Sequence, residues 1–363
     1  MRILVFSTSI GHGHNQVARA IQSEAAERGH SATVIDVLDF VSPFLSKVVL
    51  EGYMRILRYT PHIYGRLYEY SEESFGDEYS SIVNNVLCGG FQRLLEREQP
   101  SAIVCTHSFA VGLLTALKQR LQLDLPIYTV ITDFAVHPSW IQKGVDRYIT
   151  ANSRMAPLMS ALNVDADLIR PLGIPLRRQF SVAVDKQTAR ERIGIADAPT
   201  VLVMGGGLGL GLSLELIRSL ISALPEHQIL VPAGQNRVLQ REIGHHALPE
   251  SVKVLSYVDN MWDYMSASDL LVTKPGGVTC SEALCKGLPM ALVSPIPGQE
   301  NRNAIFLTDQ LAAILLDETN TVNRLSDLLS DDERLAAMSR FAARLGRPSA
   351  SEDLLKLIES EQT

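Results

Sequence analysis

The chain has 363 residues, of which 46% are hydrophobic and 20% charged, and its formal net charge is −7. The length allows about two domains, and the composition specifies a core-forming globular protein rather than a disordered one. The acidic balance excludes broad attraction to nucleic acid, so any contact with a phosphate or an anionic surface has to be local.

In chain order, short apolar runs alternate with helix-like stretches. The first half carries runs at 2–7 (RILVFS), 32–38, 102–106, 127–132 and 146–150. The second half carries them at 200–205 (TVLVMG), 228–232, 252–255, 269–273 and 289–293. Continuous apolar strands alternating with helices indicate parallel sheets covered on both faces. The series restarts near Thr200, after a Pro- and Gly-containing stretch, 171–185, that reads as a linker. The expected fold class is therefore α/β, with two Rossmann-like doubly wound domains facing a cleft. The expected boundaries are 1–180, 181–345 and a C-terminal tail, 346–363, for which a helix is one reading. Ligands of such sheets bind beyond the carboxyl ends of the strands, so the loops after the runs are where chemistry is sought.

The first such loop, "STSIGHGHNQVARAI" (7–21), fails the dinucleotide pattern because Gln16 stands where a third glycine belongs. What it offers is a glycine turn with Gly13 and His14 at a helix start. A helix N-terminus favours neutral histidine, the form a general base needs, although a lone histidine is more often structural.

Residues 40–70 follow the second run and mix Phe, Tyr, Leu and Val with Lys47, Arg55, Arg58 and Arg66 against only Glu51 and Glu69. On an acidic protein this reads as a surface for anionic lipid, or else as an ordinary helix pair packed on the sheet. Further along, "VITDFAVHPSW" (130–140) brings Asp133, His137 and Trp140 to a strand end. Asp133 is a candidate to orient a base or to take the proton itself, with an Asx-type turn as the alternative. Asp165 and Asp167 read as a solvated turn rather than a metal site.

In the second half, "MGGGLGLGLS" (204–213) places Gly207 and Gly209 in a loop that a substrate crosses. The next strand ends in "VPAGQN" without the carboxylate of a dinucleotide site, which disfavours NAD. In "TKPGGVTCSEALCKGLP" (273–289), Gly276 and Gly277 precede a helix expected to start at T-C-S-E and to stop at Gly287. Either Thr279 and Glu282 form a capping box, or the glycines admit a diphosphate to the free amides of the helix. "SPIPGQENRNAIF" (294–306) gathers Gln299, Glu300 and Asn303, groups suited to sugar hydroxyls.

The four cysteines form no CxxC pair, and their use suits a reducing compartment. The N-terminal apolar run is too short for a signal peptide, and no window of about 18 apolar residues predicts a membrane span.

The motifs "GHGHNQVARAI", "TDFAVHPSW", "GIPLRRQF", "TKPGGVTCSEAL" and "PIPGQENRNA" together resemble the diacylglycerol glycosyltransferases, which include monogalactosyldiacylglycerol synthases and bacterial processive diacylglycerol glucosyltransferases. The likeness runs from about Met1 to Ala313. It implies the GT-B fold and inverting transfer of a hexose from a UDP-sugar to a lipid hydroxyl, with diacylglycerol as the acceptor. By the same likeness His14 and Asp133 fall on catalytic positions, and Gly13, His137 and Trp140 face the acceptor. Lys274, Gly276, Gly277, Val278, Thr279 and Glu282 fall on the nucleotide, with Glu282 at the ribose. Gln299, Glu300 and Asn303 fall on the donor sugar, and Gly207, Gly209, Tyr257 and Val258 are placed with the donor as well. His12 departs from the glycine of many relatives, and Leu208 to Gly211 make an unusually glycine-rich loop. No metal and no tightly bound cofactor are expected, and Lys274 is expected to offset diphosphate charge. The expected partners are the UDP-sugar, the lipid acceptor and an anionic membrane surface met through 40–70, from the cytoplasmic side. A transferase with a soluble acceptor, a UDP-sugar epimerase of the same architecture and a non-catalytic sensor remain open alternatives.

Overall fold

The computed structural model describes residues 1–9, 12–42, 85–205, 213–234, 241, 248–293, 295–317 and 321–362. The chain divides into two compact units. The first comprises Met1–Arg178, Ile296–Gln299 and Arg347–Thr363; the second comprises Gln179–Pro295 and Glu300–Gly346.

The first unit holds β1 (Arg2–Ser7), β2 (Ser31–Asp36), β3 (Ala102–Cys105), β4 (Ile127–Val130), β5 (Arg147–Ile149) and β6 (Ile169–Arg170). All pairs are parallel, in the order β2-β1-β3-β4-β5-β6. All ten strands expected from apolar runs begin within a residue of their runs, whereas β6 is too short and too polar at Arg170 to stand out. Burial on both faces explains the patterning: Ile3 to Phe6 and Ala102 to Cys105 are all at most 2% exposed.

The second unit holds β7 (Thr200–Met204), β8 (Gln228–Pro232), β9 (Val252–Leu255), β10 (Leu270–Thr273), β11 (Met290–Leu292) and β12 (Ala313–Leu315). Its parallel order is β12-β11-β10-β7-β8-β9. Beneath the sheet, Val201, Val203, Ile217, Leu220, Val231, Leu270 and Val272 form one buried cluster.

Each sheet reverses its winding at one place. In the first unit this lies between β1 and β3, where Phe6 pairs with Cys105. In the second it lies between β7 and β10, where Met204 pairs with Thr273. The crevice outside such a reversal is where open α/β sheets take ligands, because the two following loops part there.

Residues 346–363, expected as a tail, contain the helix Ala350–Glu361, which is anchored within the first unit. Arg28 grips Glu359 with Nε at 2.9 Å and Nη2 at 2.6 Å, and His30 Nε2 lies 2.8 Å from the same carboxylate. Arg147 and Tyr128 both donate to Glu361, at 2.7 and 2.8 Å. Gly173, at φ +101°, lies against the start of this segment, and a Cβ there would come within 2.4 Å of Arg347 Cβ. Only glycine meets both demands.

Candidate active site

In the first unit the loops after β1 and β3 meet at His14, in the first turn of the helix His12–Glu27. His14 Nδ1 lies 2.8 Å from the Thr106 carbonyl oxygen and 3.0 Å from Thr132 Oγ1. A carbonyl only accepts, so Nδ1 carries the proton and Nε2 presents a bare lone pair. Thr106 Oγ1 donates back to the His14 carbonyl at 3.2 Å, closing a small ring of bonds between the two loops. Burial lowers the half-buried imidazole to about 4, overcoming the opposing effect of the bond to Thr106. His14 is thus neutral near pH 7, with Nε2 lacking a hydrogen-bond partner among the described residues.

Asp133 follows Thr132 directly and is half-buried. Nδ1 of His14 is held by the Thr106 carbonyl and the Thr132 hydroxyl. His137 is buried and caps the short 3-10 helix Pro138–Trp140, its Nδ1 accepting the Ser139 amide at 3.1 Å. Trp140 is buried within that turn, and Gly13 precedes His14 in the helix. Asp165 accepts the Asp167 amide at 3.0 Å, which is a local turn.

Three residues of this cluster escape motif reading: Thr106, His107 and Thr132. His107 stacks edge-on to His14, with ring centroids 4.6 Å apart, and stands 6.5 Å from the Trp140 ring. Their signal in the sequence is positional. Thr106 and Thr132 end the apolar runs 102–106 and 127–132, and His107 follows the first of these directly, as Asp133 follows the second.

In the second unit the loop Lys274-Pro275-Gly276 joins β10 to the helix Gly277–Cys285. The helix starts two residues earlier than its T-C-S-E signal suggests, with Gly276 as N-cap and no side-chain cap. Thr279 is therefore inside the first turn, and the capping-box reading of Thr279 and Glu282 does not hold. The first intrahelical bond of the turn runs from the Cys280 amide to the Gly276 carbonyl, at 3.0 Å. The amides of Gly277, Val278 and Thr279 have no acceptor among the described residues. A Cβ on Gly276 would meet nothing within 4 Å, so the space before these amides is open. Three convergent N–H groups at the positive end of a helix form an anion seat.

The surroundings hold this loop still. Asn303, fully buried, donates from Nδ2 to the Pro275 carbonyl at 3.0 Å. Glu282 is 8% exposed on the same helix, and Val278 is also buried. Lys274 Nζ lies 3.3 Å from Glu300 Oε2, with both side chains nearly buried. Lys274, expected to face a diphosphate, is thus paired with a carboxylate expected to face a sugar. Gln299 and Glu300 open the helix Gln299–Asp309. Tyr257 is 58% exposed and Val258 half-buried in the loop after β9. Gly207 and Gly209 lie outside the described residues, as does 43–70 of the expected lipid-facing segment. No described helix is long and apolar enough to cross a membrane.

Residues 14–176 match the family described as Monogalactosyldiacylglycerol (MGDG) synthase, and residues 200–354 match the Glycosyltransferase family 28 C-terminal domain. A processive diacylglycerol beta-glucosyltransferase of Bacillus cereus (strain AH187) is 28% identical over 366 residues, covering 99% of this chain and 94% of that protein. Among solved structures, MurG of Acinetobacter baumannii superposes with a TM-score of 0.65 at 16% identity, over 99% of both chains. Anabaena Alr3699/HepE in complex with UDP gives 0.60 at 13% identity, over 99% of this chain and 100% of that one. These likenesses establish the two-sheet architecture as the GT-B fold.

Proposed function

From the premise that the chain belongs to the diacylglycerol glycosyltransferases, uniting a monogalactosyldiacylglycerol synthase domain with a glycosyltransferase family 28 C-terminal domain, we propose that it moves a hexose from a UDP-sugar to a diacylglycerol-type hydroxyl with inversion.

The observation that carries it is the anion seat at Gly277, Val278 and Thr279 before the open space at Gly276. It sits at the winding reversal of the second sheet, it faces no side-chain cap, and it suits a diphosphate. Glu282 is assigned to the ribose, and Gln299 and Glu300 to the sugar, with Lys274 holding Glu300. In the first unit the acceptor hydroxyl gives its proton to His14 Nε2 while its oxygen bonds to the anomeric carbon. The bond from that carbon to the β-phosphate oxygen breaks, and the electron pair leaves with UDP. The unpartnered amides stabilise the charge that collects on the leaving diphosphate. Asp133 is the second candidate for the proton. Contact with an anionic inner membrane face through 40–70 belongs to the same proposal.

The test is incubation with a panel of UDP-sugars and dioleoylglycerol, with products identified by lipid mass. A single UDP-hexose giving hexosyl-dioleoylglycerol supports the reading. A changed free sugar without acceptor would make the protein an epimerase, and UDP binding without turnover would make it a sensor. Flotation with anionic liposomes, with and without 40–70, tests the membrane contact.

A further inference from the structure

The loop after β3 places a second imidazole, His107, beside His14, and the transfer of the proton to His14 does not use it. His107 is the N-cap of the helix Ser108–Leu121, where its Nδ1 accepts the Phe109 amide at 3.1 Å. A nitrogen that accepts an N–H carries no proton, so in the neutral ring the proton sits on Nε2. His14 is the reverse, with its proton on Nδ1 toward the Thr106 carbonyl. The main chain thus fixes complementary tautomers on two rings whose centroids are 4.6 Å apart and whose planes meet at 78°. One ring offers a lone pair and the other an N–H. Neither Nε2 has a hydrogen-bond partner among the described residues. Burial, and secondarily the neighbouring His14, hold His107 well below its ordinary value, so the N–H tautomer persists across the working pH range. The Trp140 ring also lies near His107, with centroids 6.5 Å apart.

Capping alone explains why a histidine's Nδ1 faces Phe109. It does not require an imidazole, since Asn, Asp or Ser would cap as well or better, and the imidazole adds an N–H edge that stays open beside His14.

We propose that His107 is an acceptor-binding, specificity-determining residue, donating its Nε2–H to an oxygen of the acceptor that neighbours the reacting hydroxyl. The ligand class this selects is a lipid alcohol with an ester carbonyl or a second hydroxyl within two or three bonds of the nucleophile. The glycerol backbone of a diacylglycerol and the ring of a glycosylated product both have that feature, and a simple long-chain alcohol lacks it. While His14 takes the proton, His107 grips the adjacent oxygen and turns the hydroxyl toward the anomeric carbon. This inference rests on the assignment of His14 as base.

Two amide variants separate the cap from the grip. His107→Asn keeps an oxygen that caps the helix but has nothing at the Nε2 position. His107→Gln places an amide N–H near that position. Both are assayed with dioleoylglycerol and with oleyl alcohol, alongside UDP calorimetry and thermal unfolding. The expected result is that His107→Asn unfolds at the wild-type temperature and binds UDP normally. Its preference for dioleoylglycerol over oleyl alcohol should fall about 10-fold, mainly through KM, as loss of one hydrogen bond to the acceptor predicts. His107→Gln should recover most of that preference. A His107→Asn enzyme with wild-type discrimination, while His14→Ala is inactive, overturns this inference alone. A fully active His14→Ala overturns the assignment on which it rests.

Discussion

Lys274 Nζ lies 3.3 Å from Glu300 Oε2, with side-chain exposures of only 9% and 13%. The lysine that the motif offers as a phosphate ligand is therefore the counter-ion of a carboxylate at the head of the helix Gln299–Asp309. Removing one partner of such a pair leaves a charge buried without compensation, which costs about 3–5 kcal/mol, whereas removing both is far milder. Lys274→Met should lose about 3 kcal/mol in urea unfolding, and the added change Glu300→Gln should restore part of it. Unchanged stability in Lys274→Met would show that the pair does not hold the loop.

Gly276 separates binding from folding. Its backbone, at φ −72° and ψ 132°, is open to any residue, and a Cβ meets nothing within 4 Å. Gly276→Ala should therefore fold with equal or slightly greater stability, by up to about 1 kcal/mol from reduced freedom of the unfolded chain. Because the methyl group enters the space before the Gly277, Val278 and Thr279 amides, UDP affinity should fall at least about 10-fold, since each 1.4 kcal/mol of lost binding is one decade. Calorimetry giving wild-type affinity would move the diphosphate elsewhere.

His14→Gln should lower turnover about 10²–10⁴-fold while UDP affinity stays within twofold of wild type. The same residue sets a pH signature. Its value of about 4 in the folded chain lies below the ordinary 6.5, so the unfolded chain takes up the proton first. The stability His14 contributes is present above about 6.5 and is lost as pH falls from there toward 4. Unfolding free energy measured between pH 7 and 4 should fall less steeply in His14→Gln than in the wild type. Turnover should stay level down to pH 5.

Glu359 gives the opposite group the same treatment. The guanidinium of Arg28, and then His30, hold its carboxyl down at about 2, against an ordinary 4.5. Its contribution is complete above 4.5 and is lost as pH falls through 2. With the carboxylate 30% exposed, screening limits it to about 1–2 kcal/mol. Glu359→Gln should loosen the helix Ala350–Glu361, seen as faster amide exchange there than in the sheet cores. Uniform exchange would contradict this.

Strand positions were legible because both sheets are buried on two faces, which makes each strand a continuous apolar run; β6 and β12, edge strands of two and three residues, gave no such run. The anion seat was legible from glycines before a helix, but its true start was masked by Thr279 and Glu282, whose spacing imitates a cap. The tautomer of His14 could not be read, since it depends on a carbonyl 92 positions away. The Lys274–Glu300 pair was equally hidden, because sequence motifs give residue types and not which of them face one another.

The second compact unit is spliced into the first: the chain leaves at Arg178, and its last segment, from Arg347 onward, rejoins the sheet it began with. A protease cutting once near residue 179 would therefore leave two fragments still associated through the terminal helix, and shortening the protein from its C-terminus would injure the half that holds His14 before the half that holds Gly276. A label fused at residue 363 reports on the unit that holds His14.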